Sequence, residues 1–457
     1  MSQIEICNPA TGELIDSVTA DDDAAVAAKV DVVKAASPAW AAKPLQERLS
    51  ILATFRALVA THTDDLAQTT TRETGKPITQ ARNEVRGLDG RLAFFLEHTA
   101  SQVATLTVHQ EADLQEQISW EPLGVVGNIS AWNYPYFVGG NVFVPALLTG
   151  NGVVYKPSEF ALGTGLKIAN LLWQAGVPKD VFAVVVGGGT AGAALLQAPI
   201  NALFFTGSYA TGLRVAEQAA RNLCKVQLEL GGKDPIYVMD DADVTVAAAA
   251  VADGAFYNAG QSCCAVERIY VHEAVYDAFV RHFVETVDTF VVGDPNNEST
   301  YIGPLTRPAQ LQVLADQVID AQAHGGNVLR GGERLARPGF YFAPTVVANA
   351  NHNMKLMRDE SFGPVIGIQK VRDDNEATAL MQDTVYGLTA GVYGKDAARA
   401  KAILQSMKTG SVYFNCCDRV SPRLPWSGRG HSGLGSTLST LGIQAFMQPK
   451  AWHLRQA

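Results

Sequence analysis

The fold is indicated most clearly by Ala202-Leu203-Phe204-Phe205-Thr206-Gly207-Ser208-Tyr209-Ala210-Thr211-Gly212, in which a short apolar strand is followed by a polar turn and a helix. Backbone N–H groups at the start of such a helix stabilise an anion such as a phosphate. The turn departs from the Gly-x-Gly-x-x-Gly fingerprint, so it fits either a phosphate site or an ordinary connection between strand and helix.

The same alternation of strand and helix continues on both sides of this turn, from residue 123 to residue 230. Strands are predicted at Gly124–Ile129, Gly152–Lys156, Val181–Val186, Ala202–Phe205 and Lys225–Leu228. Short apolar strands separated by helices indicate a parallel sheet that is covered on both faces. Because ligands bind such sheets at the C-terminal ends of the strands, the residues that follow each strand are candidates for a binding site.

A second unit of strands and helices is predicted over residues 232–432. Its strands are expected at Pro235–Met239, Arg268–Glu273, Thr345–Val347, Val365–Lys370, Gly391–Tyr393 and Ser411–Asn415. A chain of 457 residues is too long for one compact core. We therefore expect an α/β fold with a Rossmann-like cofactor domain (residues 1–102 and 122–231) and an α/β catalytic domain (residues 232–432).

Two further segments, residues 103–121 and 440–457, show the alternation of apolar and polar residues that is typical of strands. A long hairpin outside a sheet is poorly stable alone. We expect the tail strand, Ile443–Leu454, to pair with residues 103–120 of another subunit. These oligomerisation strands predict a homodimer or a homotetramer.

Composition and charge argue against several classes of protein. The net charge of -9 disfavours nucleic acid and anionic membranes as partners. No apolar run approaches the roughly 18 residues that a membrane span needs, and Met1–Ile6 lacks the features of a secretory signal. The 6 cysteines are too sparse for a disulfide framework and lack zinc spacing. We expect no metal site and a cytoplasmic location.

A candidate nucleophile lies in Asn258-Ala259-Gly260-Gln261-Ser262-Cys263-Cys264-Ala265, where a thiol follows a Gly-Gln turn. A second segment, Leu228-Glu229-Leu230-Gly231-Gly232-Lys233-Asp234-Pro235, places a carboxylate in apolar and Gly-rich surroundings. A thiol and a carboxylate together predict a nucleophile and a base for covalent catalysis. Free cysteine also packs as a small hydrophobe, and the local sequence leaves that alternative open.

Six motifs together resemble the aldehyde dehydrogenase superfamily, in its order and at its spacing, over nearly the whole chain. They are Trp132-Asn133-Tyr134-Pro135, Lys156-Pro157-Ser158-Glu159, Phe205-Thr206-Gly207-Ser208, Leu228-Glu229-Leu230-Gly231-Gly232-Lys233, Gly260-Gln261-Ser262-Cys263 and Glu360-Ser361-Phe362-Gly363-Pro364. The resemblance implies an NAD(P)-dependent, non-acylating enzyme that oxidises an aldehyde to a carboxylic acid. The N-terminus looks shorter than in many members of the superfamily.

The resemblance also implies catalytic roles for three residues. Cys263 would attack the aldehyde, while the Asn133 amide and the Cys263 backbone N–H would form the oxyanion hole. After hydride transfer to nicotinamide, Glu229 would activate the water that hydrolyses the thioester. A free thiol has a pKa of about 8.5, so we expect the site to favour the thiolate, and we expect burial to raise the pKa of Glu229.

The cofactor site that the resemblance implies uses the ends of the predicted strands. It comprises Lys156 and Glu159 at the adenosine ribose, Ser208 and Trp132 at the pyrophosphate, Glu360 and Phe362 at the nicotinamide and its ribose, and Ile129, Ser158, Gly188, Thr206, Gly207 and Leu230. Glu159 should bond both ribose hydroxyls of NAD and repel the extra phosphate of NADP, a repulsion that Lys156 softens. We expect NAD to be preferred, with NADP possible.

The implied substrate tunnel is lined by Tyr134, Phe137, Val138, Asn141, Tyr257, Cys264, Val420 and Trp426. Members of the superfamily that take semialdehydes can place an arginine at the position of Asn141, and none occurs in residues 134–147. We therefore expect an apolar aliphatic, aromatic or polyene aldehyde rather than succinic semialdehyde. Tyr134, Tyr257 and Trp426 also partly reproduce the aromatic box of betaine aldehyde dehydrogenases, although packing of the tunnel wall explains the rings equally well.

Two other classes of protein share the fold. A CoA-acylating semialdehyde dehydrogenase lacks the general-base glutamate, which is present here as Glu229. A non-catalytic binding relative would have lost Cys263, Glu229 or Asn133, and all three are present. We therefore expect a hydrolytic enzyme with a small-molecule aldehyde substrate.

Overall fold

A computed structural model describes residues 2–456 of the chain. Its N-terminal part contains a hairpin, four helices and two further strands: β1 Gln3–Cys7, β2 Leu14–Thr19, α1 Asp23–Ala42, α2 Leu45–Thr61, α3 Thr63–Thr74, α4 Ile78–Val103, β3 Leu106–Gln110 and β4 Leu114–Pro122. The Asp22 carboxylate caps α1 by accepting from the backbone N–H of Ala25 at 2.9 Å. Gly75 ends α3 with a φ of 77°, a left-handed conformation that favours glycine.

Strands and helices alternate through the next hundred residues, as the sequence predicts. The elements are β5 Val125–Ile129, α5 Pro135–Leu148, β6 Gly152–Lys156, α6 Leu162–Ala175, β7 Phe182–Val184, α7 Gly189–Gln197, β8 Ala202–Thr206, α8 Tyr209–Arg221 and β9 Lys225–Glu229. A short 3₁₀ turn at Glu159–Ala161 precedes α6.

The remaining elements run from residue 235 to residue 455. They are β10 Pro235–Val238, α9 Val244–Phe256, β11 Arg268–His272, α10 Tyr276–Asp288, α11 Ala309–Ala323, β12 Asn327–Arg330, β13 Thr345–Ala348, α12 Lys355–Arg358, β14 Val365–Val371, α13 Asp374–Gln382, β15 Tyr386–Gly387, β16 Thr389–Tyr393, α14 Ala397–Ser406, β17 Ser411–Phe414, β18 Arg429–Gly430, β19 Gly433–Leu434, α15 Ser439–Gln444 and β20 Met447–Arg455. Strand β12 and the two-residue strands β15, β18 and β19 lack a clear alternating pattern in the sequence.

The first large sheet has the strand order β19-β9-β8-β5-β6-β7. Strands β5 to β9 are parallel to their neighbours, and only β19 joins in the antiparallel direction. Parallel strands end at one edge of a sheet, so Ile129, Lys156, Thr206 and Glu229, which end β5, β6, β8 and β9, lie along the same edge. This edge holds the predicted site.

The second large sheet has the order β12-β13-β14-β11-β10-β16-β17. All of its pairs are parallel except β12 with β13. The central strands are almost wholly buried between helices, which explains why their sequences are continuous apolar runs. The mixed α/β architecture with parallel sheets confirms the predicted fold class.

A third sheet, of order β20-β4-β3, corrects the expectation for the tail. Strand β20 pairs with β4 of the same chain along its whole length, from Met447 opposite Pro122 to Arg455 opposite Leu114. The prediction that the tail pairs with another subunit is therefore wrong for this ladder, and Ile443 lies in α15 rather than in a strand. The reason is local: α15 packs on α4, which directs the tail past β4.

Across residues 2–456, none of the helices combines the length and the apolar character needed to cross a bilayer.

Candidate active site

The candidate nucleophile follows a turn with left-handed backbone at three consecutive residues. Asn258 and Ala259 both have a φ of 54°, and Gly260 has a φ of 70°. Left-handed backbone is uncommon outside glycine and costs energy, so it persists only where surrounding structure enforces it. A Cβ atom on Gly260 would lie 2.4 Å from the carbonyl oxygen of Gly363, which requires glycine there. The turn presents a partly exposed Cys263 to a cavity.

Glu229 lies beside this thiol. The Cys263 Sγ atom is 3.8 Å from Glu229 Oε1, and the Trp426 indole N–H donates to the same carboxylate oxygen. Gly232 permits the close approach of the two segments, because a Cβ atom there would lie 2.7 Å from the Cys263 carbonyl oxygen. The two motifs that the sequence singles out for chemistry therefore meet in space.

Burial governs the protonation of this pair. Burial raises the pKa of Glu229, as expected from the sequence. The hydrogen bonds from Trp426 and Cys263 and the attraction of Arg91 lower it, but by less. The hydrogen bond with Cys264 lowers the pKa of Cys263, but burial and the nearby carboxylates raise it by more. In the protein alone the pKa of Cys263 therefore lies above its ordinary value, in the opposite direction to the one expected from the sequence, and the preference for the thiolate stays a prediction.

Asn133 is held against the same turn. Its Nδ2 atom donates to the Gln261 carbonyl oxygen at 3.1 Å, and Asn258 Nδ2 donates to the Asn133 carbonyl oxygen at 3.3 Å. Asn133 and Asn258 are both buried. The Asn133 amide therefore contacts the backbone of Gln261, two residues before Cys263 in the chain. Its role in an oxyanion hole stays a prediction.

Three predicted cofactor residues cluster at the end of β6. Lys156 is buried, and its Nζ atom lies 3.8 Å from Glu159 Oε2. Ser158 caps the short 3₁₀ turn Glu159–Ala161. A Cβ atom on Gly188, at the start of α7, would lie 3.7 Å from Glu159 Oε1. A carboxylate and an ammonium group at a strand end offer the acceptor and the donor that ribose hydroxyls require.

The N-terminus of α8 is open for an anion. Ser208 precedes this 13-residue helix, but its hydroxyl bonds the Thr211 hydroxyl at 3.1 Å instead of capping a backbone N–H. The Gly207 N–H donates to the Glu229 carbonyl oxygen at 3.0 Å, and the Leu230 side chain packs where a side chain on Gly212 would stand. The N–H groups of the first turn of α8 suit the pyrophosphate of a dinucleotide.

Glu360 contacts the Gly231-Gly232 segment, and Phe362 contacts Trp132. The Glu360 Oε1 atom accepts from the Gly232 N–H at 3.0 Å, and burial raises the pKa of Glu360 to about 7. Phe362 packs edge-on against Trp132, with ring centroids 5.7 Å apart. A Cβ atom on Gly231 would lie 2.4 Å from the Glu360 carboxylate, so a larger residue there would displace this side chain.

A buried ion pair that the sequence motifs do not include fixes this turn. Lys233 Nζ lies 2.6 Å from Glu267 Oε2, and the Glu267 carboxylate accepts from the backbone N–H groups of Ser361 and Phe362, each at 3.0 Å. Lys233 belongs to one of the six motifs, whereas Glu267 does not, and a glutamate in the apolar stretch before β11 is its only signal in the sequence. The pair ties the Glu360 turn to the Lys233 segment.

A cavity of about 320 Å³ opens onto the nucleophile. Every predicted tunnel residue lines it together with Glu229 and Cys263: Tyr134, Phe137, Val138, Asn141, Tyr257, Cys264, Val420 and Trp426. One face of α4 forms a wall that the motifs did not predict, through Gln80, Asn83, Glu84, Gly87, Gly90 and Arg91. Spacings of three and four residues along a helix show which side chains share one face, but they do not show that this face lines a cavity.

Arg91 brings an arginine into the cavity wall from outside residues 134–147. Its Nη1 atom donates to Asn141 Oδ1 at 2.7 Å, and its guanidinium carbon lies 3.8 Å from the centroid of the Phe137 ring. Residues 134–147 contain no arginine, but α4 supplies one from outside that stretch. The Lys76 ammonium lies 3.9 Å from the centroid of the Tyr134 ring, so protein cations already contact two tunnel rings.

Within residues 2–456, no group of histidine, cysteine and carboxylate side chains is arranged to hold a metal ion. The thiol, the carboxylate beside it and the anion-binding helix end define a class of protein: an oxidoreductase with a nucleophilic cysteine and a dinucleotide cofactor. The profile of the aldehyde dehydrogenase family matches residues 1–452. The chain belongs to this family of NAD(P)-dependent enzymes, and its reaction is the oxidation of an aldehyde.

Known relatives cover nearly the whole chain. A betaine aldehyde dehydrogenase of Cereibacter sphaeroides is 36% identical over 451 residues, covering 98% of this chain and 93% of the relative. The crystal structure of an NADP-dependent enzyme of Escherichia coli superposes with a TM-score of 0.97 at 32% identity, covering 100% of this chain and 95% of that one. PnpE of Pseudomonas sp. WBC-3, in complex with nicotinamide adenine dinucleotide, gives a TM-score of 0.96 at 32% identity, with 99% and 94% covered.

Proposed function

We propose that Cys263 and Glu229 oxidise the aldehyde through a covalent thioester. The Cys263 thiol passes its proton towards Glu229 as the sulfur bonds to the aldehyde carbon, which forms a thiohemiacetal. The dinucleotide that Lys156, Glu159 and the N-terminus of α8 would hold would supply the acceptor for the hydride that this carbon loses. Glu229 releases the first proton, then takes one from a water molecule whose oxygen attacks the thioester and frees the acid and the thiol. The 3.8 Å contact between Cys263 Sγ and Glu229 Oε1 carries this proposal.

The negative oxygen of each tetrahedral intermediate needs donors. We assign these to the Asn133 amide and the Cys263 backbone N–H, because Asn133 is fixed by its neighbours on the nucleophile turn. One such donor typically contributes about 3 kcal/mol of transition-state stabilisation. In this assignment the Asn133 Nδ2 group exchanges the Gln261 carbonyl for the substrate oxygen.

NAD is the preferred cofactor in this proposal. The Glu159 carboxylate at the end of β6 accepts from ribose hydroxyls and repels a 2′-phosphate, and Lys156 at 3.8 Å reduces that repulsion without removing it. Solved relatives include an NADP-dependent enzyme and an NAD complex, so the choice rests on Glu159 in this chain.

Two substrate classes follow from the cavity wall. Tyr134, Phe137 and Trp426 surround the reactive end with rings, which favours an apolar aldehyde. A second candidate is betaine aldehyde, supported by the name of the relative from Cereibacter sphaeroides and by the rings of Tyr134, Tyr257 and Trp426. The protein cations over Tyr134 and Phe137 repel a quaternary ammonium group and weaken this candidate. Glu229 beside the thiol supports hydrolysis over transfer to CoA.

The chain also acts as a homo-oligomer in this proposal, and a cytoplasmic location is proposed with it. Strand β3 is an exposed sheet edge with an unpaired backbone, which favours association with a second copy. All six cysteines are free thiols, as a reducing compartment requires.

Replacement of the nucleophile tests the mechanism. The Cys263→Ala variant should lose aldehyde oxidation by at least about a thousandfold, because no thioester can form. Its affinity for NAD, measured by fluorescence titration, should stay unchanged, and Cys224→Ala, a cysteine outside the cavity, should keep full activity. Turnover by Cys263→Ala within tenfold of the wild type would refute the proposal.

A further inference from the structure

Arg91 is a buried cation in the wall of the cavity. It is 5% exposed, and within residues 2–456 its guanidinium makes one hydrogen bond, to Asn141, and no contact with a carboxylate. An arginine has five N–H donors and no acceptor. Most of its hydrogen-bonding capacity is therefore available to a molecule inside the cavity.

The carboxylates of the cavity have partners of their own, and Arg419, the other arginine of its lining, is exposed. The Glu84 carboxylate pairs with Lys76 and accepts from the Tyr136 backbone N–H at 2.9 Å. The Asp418 carboxylate accepts from Cys264 at 3.1 Å and from Ser262 at 3.4 Å. Glu229 is engaged by Trp426 and Cys263. Arg91 is thus the buried charge of this cavity that no counter-ion contacts.

Glu229 and Glu84 lie close enough to attract Arg91, but neither carboxylate contacts its guanidinium. A buried cation with most of its N–H groups unpaired is costly, so its retention points to an anion that binds there. Burial lowers the pKa of Arg91 to about 10, which still leaves the guanidinium charged at neutral pH. Asn141 and the face of Phe137 hold the group in one orientation before any ligand arrives. Because the guanidinium is already held in place, it loses little conformational entropy when an anion binds.

We propose that Arg91 binds a carboxylate of the substrate, so that the enzyme oxidises aldehydes that carry an acid group remote from the aldehyde carbon. The inference rests on the proposed oxidation at Cys263, which lines the same cavity. Arginine binds carboxylates through two parallel hydrogen bonds, and Asn141 turns the guanidinium for that contact. A quaternary ammonium substrate meets like charge at this wall. The rings of Tyr134, Phe137 and Trp426 fit the apolar carbon skeleton that joins the aldehyde to the acid group.

Paired probes measure the preference for the acid group. One pair is para-carboxybenzaldehyde and para-carbamoylbenzaldehyde, which have nearly the same shape and differ in charge. The second pair is succinic semialdehyde and butanal, which covers a shorter, flexible chain. In the wild type, kcat/KM for the acid of at least one pair should exceed that for its neutral partner by about ten- to a hundredfold, as for a charged hydrogen bond.

Variants of one helix assign the preference to Arg91. Arg91→Gln should bring the ratio close to one through a higher KM for the acid. Loss of the Arg91 charge also acts on Glu229, but this effect is the same for both probes and cancels in the ratio. Arg91→Lys should retain part of the preference. Arg86→Gln, at an exposed arginine of the same α4 helix that does not line this cavity, should leave the ratio unchanged.

The possible results separate this inference from the proposed function. Equal turnover of acid and neutral probes by the wild type would overturn the assignment of Arg91 and leave the oxidation chemistry intact. An equal loss of kcat/KM for the acid and the neutral probe in Arg91→Gln and Arg91→Lys, with an unchanged melting temperature, would also overturn it. Such a result would mean that Arg91 only supports the structure of the site. Failure of the wild type to oxidise any aldehyde would instead refute the chemistry at Cys263.

Discussion

In the proposed cofactor site, a single residue at the end of β6, Glu159, would set the choice of cofactor. Glu159 offers a carboxylate to the ribose, and Lys156 is too deeply buried to turn outward and bind a phosphate in its place. We therefore propose that the charge of this side chain sets the balance between NAD and NADP, because the two cofactors differ only in a phosphate on that ribose.

Removal of this charge should relax the choice of cofactor. In Glu159→Gln the ratio of kcat/KM for NAD to that for NADP should fall by about tenfold or more, since the repulsion of the phosphate is lost. Steady-state kinetics with both cofactors checks this, with Glu217→Gln, an exposed glutamate on α8, as the control. A wild-type preference for NADP, or an unchanged ratio in Glu159→Gln, would contradict the assignment.

At the scale of elements, strand β3 lies at the edge of the three-stranded sheet. Leu106 and Val108 are 57% and 52% exposed, and Trp452 and Leu454 on β20 are exposed as well. An exposed edge with apolar side chains is rare in a monomer, because it promotes association with other chains. A second copy of the chain is the partner that this edge predicts.

Charged residues on this strand should separate the subunits. The double variant Leu106→Glu/Val108→Glu should elute as a monomer, because two carboxylates would be buried without partners at the interface. Size-exclusion chromatography with light scattering gives the mass, and the wild type should show two or four times the mass of one chain. Val246→Glu, at an exposed position on α9, should keep the wild-type mass. A monomeric wild type would contradict this proposal.

At the scale of the whole molecule, the sequence predicts the parts of the site that depend on strand ends and glycine turns. Lys156, Thr206 and Glu229 end parallel strands, so local pattern alone places them on one edge. The α4 wall was missed because a helix face lines a cavity only after it packs, which no local pattern records. The intrachain pairing of β20 with β4 was likewise missed, since alternation predicts a strand but not its partner.

Mass spectrometry of the enzyme during turnover tests the central claim most directly. In the Glu229→Gln variant with aldehyde and NAD, the proton acceptor of Cys263 is lost, so acylation should slow. Hydrolysis should slow by more, about a hundredfold or more, because solvent can take the thiol proton but no other group activates the water. One acyl group per chain should then accumulate, and peptide mapping should locate it on Cys263. An adduct on any other residue, or a variant that turns over at the wild-type rate without an adduct, would contradict the account.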